Sequence, residues 1–256
     1  MYGLLGKKLG HSFSKEYFMN KFSKLNLSHS YSNIELDEIS DIIEFVRNNK
    51  ELKGFNVTVP YKESVIKYLD DIDDIAEEVG AVNTVKVYEG GKLKGFNTDV
   101  IGFEVLLEST RLQDYKTTSL IFGSGGASKA VQYVLRKNNI PFKVVSRNVK
   151  LRMKNEKLEM IGYDDVDKTG FSPYSLVINT TPVGMSPNIN ECLELPYSTV
   201  EPHNVFIDLI YNPEETLFLK KARQKGAATF NGLTMLHEQA EAAWKIWENE
   251  QLTVNN

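Results

Sequence analysis

Gly123-Ser124-Gly125-Gly126-Ala127-Ser128 stands between an apolar run, Ser119–Phe122, and a segment of helical periodicity, Ala127–Lys137. Gly123 and Gly125 permit a tight turn and a close backbone approach. The free amides that open the next helix favour an anion. The segment from Leu120 to Arg147 therefore reads as the strand–turn–helix–strand unit that holds a dinucleotide pyrophosphate. Ser128 takes the third position of the fingerprint, where a small residue still lets helix and strand pack. About 20 residues on, where a carboxylate would accept the ribose hydroxyls of NAD, the chain has Ser146-Arg147-Asn148. An acid there would repel a 2′-phosphate, whereas Arg147 offers it several donors. The missing acid and the present base agree on NADP, and so on a nicotinamide-dependent oxidoreductase.

Groups able to handle a proton lie upstream. Phe55-Asn56-Val57-Thr58-Val59-Pro60-Tyr61-Lys62 ends a strand in a proline turn and leaves Lys62 near the strand's C-terminal end, where ligands of open α/β sheets gather. Ala81-Val82-Asn83-Thr84 and Phe96-Asn97-Thr98-Asp99 set small polar groups where strands meet loops or a helix. Each has a plain alternative: Lys62 as a solvated helix-start residue, Asn83 as a turn residue, Asp99 as a helix cap. Cys192 has no histidine near it in sequence and reads as a small, partly buried side chain.

The elements that must position these groups alternate between strand and helix patterns, the signature of an α/β chain. Strands are expected at Tyr2–Leu5, Tyr31–Leu36 and Phe55–Val59, with a hairpin of Thr84–Tyr88 and Lys92–Phe96 around Glu89-Gly90-Gly91. Helices are expected at Ser14–Asn26, with Ser14 as its cap and Tyr17, Phe18, Phe22 and Leu25 on one stripe, and at Ile39–Asn48. Further strands fall at Phe142–Ser146, Leu176–Asn179, Val205–Leu209 and Ala228–Phe230, with a helix at Glu215–Lys225. A closing helix runs from Thr234 to Glu250, and the polar stretch Lys150–Glu159 reads as an exposed loop. The domain boundary is placed at Asn97–Ile101, where a helix crosses between domains.

Composition narrows the class. The 256 residues are 41% hydrophobic and 25% charged with a net charge of -4, so a globular core is expected and a nucleic-acid partner is not. No apolar run approaches the roughly 20 residues of a membrane span, and none near the start suits a signal peptide. The single cysteine cannot form an internal disulfide, which points to the cytoplasm. No metal is expected.

Taken together, the chain resembles the shikimate dehydrogenase family over nearly its whole length. The resemblance rests on Gly10–Ser14, Asn56–Lys62, Gly80–Thr84 and Asn97–Asp99 in the first part. In the second it rests on Gly123–Ser128, Ile178–Met185, Asp208–Pro213 and Asn231–Leu236. It implies an α/β protein of two domains: residues 1–99, a substrate-binding and catalytic domain completed by the C-terminal helix 233–256, and residues 100–232, a Rossmann-type NADP domain. The implied reaction is reversible hydride transfer between NADPH and 3-dehydroshikimate, a small-molecule substrate. Lys62 would serve the proton with Asp99 beside it. Ser12, Ser14 and Tyr211 would bind the substrate carboxylate, and Thr58, Asn83 and Gln239 its hydroxyls. Gly123, Ser124, Gly125, Gly126, Ala127, Ser146, Arg147 and Asn148 would bind NADP, with Leu209 and Gly232 on the nicotinamide side and Asp74 a weaker contact. His11 has no catalytic role in the pattern. The adenosine-phosphate motif departs from the family, with Leu151 at the place of a second arginine and Lys150 and Arg152 beside it. A quinate-using relative and a non-catalytic dinucleotide sensor are the alternatives, and the family's fold serves monomers and homodimers alike.

Overall fold

The apolar run that opens the chain forms β1 (Tyr2–Gly6), followed by α1 (Phe13–Lys24), β2 (Tyr31–Glu35) and α2 (Ile42–Asn48). Then come β3 (Gly54–Val57), β4 (Asp71–Ile72), α3 (Asp74–Val79), β5 (Thr84–Val87) and β6 (Leu93–Phe96). The structure is a computed structural model that describes residues 1–10, 13–110, 112, 118–147 and 159–249. The chain divides into two compact units, one of Met1–Ile101 with the chain from Gln239, the other of Gly102–Glu238.

Among the described residues the first unit holds a mixed sheet in the order β2-β1-β3-β5-β6-β4. β1 lies parallel to β2 and β3, β5 runs antiparallel to both β3 and β6, and β4 closes the sheet parallel to β6. Both faces are covered, which is why β3 is buried at all four positions. One face packs Leu5, Ile34, Ile42, Val46 and Phe55 together. On the other, Tyr2, Phe18 and Tyr31 meet Trp244 and Trp247 from the chain's last helix.

Several sequence expectations shift here. The strand expected at Phe55–Val59 stops at Val57, and Val59 is 74% exposed. The polar member of its alternation, Asn56, is buried rather than solvent-facing, because hydrogen bonds on both sides replace water. The helix at Ile39–Asn48 begins as a 3₁₀ turn, Ile39–Asp41. Helix α1 begins at Phe13, so Ser14 lies in the first turn and not at its cap, and Leu25 is past the helix and exposed. The unforeseen α3 carries the usual signals: Asp73 accepts from Ile75 N at 3.1 Å, and Gly80 closes the helix at φ 67°.

The second unit contains most of α4 (Asp99–Ser109), then β7 (Thr118–Phe122), α5 (Gly126–Lys137), β8 (Phe142–Val145), β9 (Met160–Ile161) and α6 (Tyr163–Thr169). It continues through β10 (Tyr174–Asn179), β11 (Val205–Asp208), α7 (Leu217–Arg223) and β12 (Ala228–Phe230) to α8 (Leu233–Trp247). The sheet order is β12-β11-β10-β7-β8-β9 with every pair parallel. The order reverses between β7 and β10, the doubly wound arrangement in which ligands bind at the strand ends beside the switch. Of the loop expected at Lys150–Glu159, residues 150–158 lie outside the described residues, as does Glu250 of the closing helix. β9 is only two residues long and α6 has few apolar residues, so neither shows a period.

α8 returns the chain to the first unit from Gln239 onward, and its end is tied down by a buried lysine. Lys86 on β5 donates to the carbonyls of Ile246 (2.6 Å) and Trp247 (3.0 Å) and to Asn249 Oδ1 (2.5 Å). These are the carbonyls a helix leaves unpaired at its negative end, so an ammonium suits them doubly. Burial lowers the lysine's pKa. Trp247 Nε1 donates to Val85 O at 3.0 Å, above Gly54, where a Cβ would stand 2.3 Å from that nitrogen. Lys86→Met strands these buried acceptors, and the expected loss is about 2 kcal/mol of unfolding free energy, read as a lower urea midpoint.

Candidate active site

The antiparallel register of β5 and β6 sets Thr84 opposite Phe96, so the residues just before β5 and just after β6 are neighbours. Asn83 thereby meets Thr98 and Asp99. The backbone of Lys62 joins them, its carbonyl accepting from Val82 N at 2.7 Å. Lys62 Nζ lies 2.6 Å from Asp99 Oδ2, with side chains only 16% and 7% exposed. Asp99 Oδ1 accepts from Asn83 Nδ2 at 2.8 Å, and Asn83 Oδ1 accepts from Thr98 N at 2.7 Å. The same Asn83 amide reaches Gln239 Oε1 at 3.4 Å. Among the described residues only one of the three donors on Lys62 is engaged, leaving two for a ligand oxygen.

This cluster continues inward. Thr84 Oγ1 contacts Thr98 Oγ1 (3.1 Å) and accepts from Asn56 Nδ2 (3.1 Å). Tyr31 donates to Asn56 Oδ1 at 2.8 Å. The Ser14 hydroxyl bonds to Tyr31, whose phenol burial holds well above its ordinary pKa. Hydrogen bonds therefore run unbroken from Ser14 to Lys62. Thr58 follows β3, part-buried, its backbone bonded to Leu5 O and Tyr61 N (both 2.9 Å). Ser12 lies outside the described residues. Sequence reasoning missed Asn56, Tyr31 and Thr98. The signal was an asparagine in the middle of an otherwise apolar strand.

In the second unit the glycine loop joins β7 to α5. Gly123 has φ +106°, and a Cβ there would stand 2.6 Å from Thr180 Oγ1. A Cβ on Gly125 would meet nothing within 4 Å, so that side is open to a ligand. Gly125 caps α5, whose first turn has no side-chain cap and no acidic residue among the described residues, so the amides of Gly126 and Ala127 that begin it suit an anion. Ser124 is exposed beside them. Ser128 is fully buried and donates to Gly123 O at 2.7 Å, fastening helix to loop. At the end of β8, Ser146 is buried and bonded through its amide to Ile161 O at 3.1 Å. Arg147 is exposed and makes no ion pair among the described residues. Burial raises the pKa of half-buried Tyr163, and the charge of Arg147 draws it back down. These features fit a dinucleotide with an anionic adenosine end. Asn148 lies outside the described residues.

Leu209 follows β11, and Gly232 packs against its backbone so tightly that a Cβ would fall 2.0 Å from Leu209 O. Tyr211 is half-buried in this unit, and burial raises its phenol pKa, keeping it a donor. Asp74 sits in the first unit, exposed, as the first residue of α3. The groups are thus gathered in two sets. Ser14, Lys62, Asn83, Asp99 and Gln239 form one in the first unit. The glycine loop, Ser146 and Arg147 form another at the strand ends of the second, with Leu209 and Gly232 along the same edge. Among the described residues no group of three or more His, Cys, Asp or Glu could hold a metal ion, and no helix is long and apolar enough to cross a membrane.

A family model described as the shikimate dehydrogenase substrate binding domain matches residues 4–85. The chain is 39% identical over 255 residues to a shikimate dehydrogenase (NADP(+)) of Methanococcus maripaludis, covering 96% of this chain and 90% of that protein. The chain belongs to the shikimate dehydrogenase family. Among solved structures of the family, a chorismate mutase/shikimate 5-dehydrogenase fusion protein from Clostridium acetobutylicum superposes with a TM-score of 0.84 at 38% identity, covering 98% of this chain and 91% of that one. Shikimate 5-dehydrogenase from Thermus thermophilus, in complex with NADP(H) and shikimate, gives 0.83 at 29% identity, covering 97% and 93%.

Near Leu209 a buried carboxyl stands out. Asp208 is fully buried, and burial raises its pKa to about 6 against the bonds from Thr216, Ile210 and Asn179 that favour its charge. A folded pKa above the unfolded value means the folded state holds the proton more tightly. This contribution is full below the unfolded value of 3.8 and is lost as pH rises through about 6. Asp208→Asn removes the titration. Its stability relative to the wild type is expected to rise by up to roughly 3 kcal/mol between pH 4 and pH 7, measured as urea midpoints across that range.

Proposed function

We infer that this chain is an NADP-dependent shikimate dehydrogenase, reducing 3-dehydroshikimate to shikimate reversibly in the shikimate pathway of aromatic amino-acid biosynthesis. The observation that carries this is the Lys62–Asp99 pair, bridged by Asn83 and with two lysine donors not engaged among the described residues, in a chain that matches such an enzyme over 96% of its length. The first unit would serve the substrate and the second the cofactor, in the cytoplasm.

NADPH, when bound, supplies the hydride that converts the ring carbonyl carbon to a carbinol. Lys62 then delivers a proton from Nζ to the oxygen as it gains negative charge, and in the reverse direction takes that proton back. Asp99 fixes the lysine from one side at 2.6 Å, and the remaining donors would serve the substrate oxygen. Asn83 and Gln239 orient the hydroxyls, with Thr58 offering a further hydroxyl. Ser12, Ser14 and Tyr211 hold the carboxylate with neutral donors, which binds an anion without a buried countercharge. Gly123 to Ala127 would hold the pyrophosphate, and Ser146, Arg147 and Asn148 the adenosine 2′-phosphate. Leu209 and Gly232 would flank the nicotinamide, and Asp74 would add a weaker contact.

The test is a spectrophotometric assay of shikimate oxidation with NADP and NAD in parallel. NADP is expected to be preferred, and Lys62→Ala to lower kcat by about 10²–10⁴ while the fold persists. No turnover with either cofactor sinks the assignment, and a preference for NAD removes the role given to Arg147.

A further inference from the structure

The proposed cofactor contacts of the second unit hang from loops, and something must fix those loops where the sheet ends. We propose that Asn179 and Asp208 are positioning residues for the cofactor, a buried polar bar locking the loop after β10 to the loop after β11. This rests on the dinucleotide-binding reading given above.

Asn179 and Asp208 are the last paired residues of their two strands, and both are fully buried. One residue further the backbone pairing ends, yet the groups that follow still need partners. Atoms of Asn179 and Asp208 take over. Asn179 Nδ2 donates to Asp208 Oδ1 at 3.1 Å, which also accepts from Ile210 N at 3.0 Å. Asn179 O accepts from Leu209 N at 3.0 Å. Asn179 Oδ1 accepts from Thr181 N (2.9 Å) and Thr181 Oγ1 (2.7 Å). Thr216 Oγ1 donates to Asp208 Oδ2 at 2.6 Å, holding the carboxyl from below.

The bar reaches the other two loops of the edge. Thr180, between Asn179 and Thr181, donates from N (2.9 Å) and Oγ1 (2.7 Å) to Phe122 O, and leans on Gly123 where a Cβ would stand. Gly232 N donates to Ile210 O at 3.1 Å while its Cα packs on Leu209. The glycine loop and the Leu209–Tyr211 turn are thus set relative to each other through Asn179 and Asp208. The pairing of β10 with β11 does not need a buried carboxyl, since apolar residues of similar size would bury more cheaply there. What the carboxyl adds is the placement of Ile210 N, and with it the backbone on either side.

The test is calorimetric titration of NADP into the folded full chain, alongside thermal unfolding of each variant. Asp208→Ala and Asn179→Ala are expected to weaken NADP binding about tenfold or more, because small displacements of a positioned contact are costly. Asp208→Asn keeps an acceptor for Ile210 N and is expected to restore binding to within about threefold of the wild type. Val177→Ala, an apolar core change in β10, is the control, expected to lower the melting temperature with Kd unchanged. Asn179→Ala is decisive by itself should Asp208→Ala not fold. Wild-type binding with both alanine variants within about twofold of it, or shifted no more than Val177→Ala, overturns this inference alone. A wild type that does not bind NADP overturns the dinucleotide reading and this inference with it.

Discussion

The first unit holds a lysine and an aspartate side by side where water is scarce, with Lys62 Nζ 2.6 Å from Asp99 Oδ2. Removing two opposite charges from water costs several kcal/mol each, and their attraction repays that only when the remaining hydrogen-bonding positions are filled. Asn83 fills them. Its amide donates to Asp99 Oδ1 while its oxygen accepts from Thr98 N, so one neutral side chain completes the carboxylate and fixes the backbone that carries it. That double duty is available only because β5 and β6 pair in the register that puts Asn83 beside Phe96–Asp99. Such a pair adds little to stability over apolar residues of the same size. Among the described residues Lys62 keeps two donors beyond the bond to Asp99, more than holding the carboxylate requires.

The two units build their sites from different material. In the first, side chains form the site, supported by further side chains as far back as Tyr31 and Ser14. In the second, the backbone forms it: amides at the start of α5, the turn at Leu209 and the close contact at Gly232. A phosphate is served well by any backbone that presents its N–H groups. A polyhydroxylated ring needs individual donors and acceptors at fixed points. This difference explains why Ser128 can stand at the third fingerprint position. What that position must do is stay small, and the serine adds a bond of its own to Gly123 O.

Legibility in the sequence followed the same division. The glycine loop was readable because its parts are contiguous, and the hairpin because Glu89-Gly90-Gly91 spells out its turn, where Gly90 and Gly91 have φ of 75° and 77°. Lys62, Asn83 and Asp99 carry no local signal that separates them from a solvated lysine, a turn residue and a cap. They became visible only as a set matching a family. Asn56, Tyr31 and Asp208 stayed hidden for a further reason. Each looks ordinary in its own strand, and its partner lies on another strand or past a strand end. The two-residue strands β4 and β9 are shorter than any periodicity window, so no pattern could have announced them.

The last helix links the core of the first unit to its polar cluster. Without α8 the first unit would present Tyr2, Phe18, Phe22 and Tyr31 to water on one face of its sheet, and those residues pack on Trp244 and Trp247 instead. Tyr31 is also a link in the polar chain behind Asp99, so the cover that dries this face dries the support of the site as well. The first unit is therefore incomplete until the chain has passed through the whole of the second and come back. Lys86 and Trp247 secure the far end of that helix on β5, and Gln239, two turns earlier, meets Asn83 just before the same strand. One short strand thus sets the register of the returning helix and presents the hub of the ion pair, which couples the closing of the core to the assembly of the site.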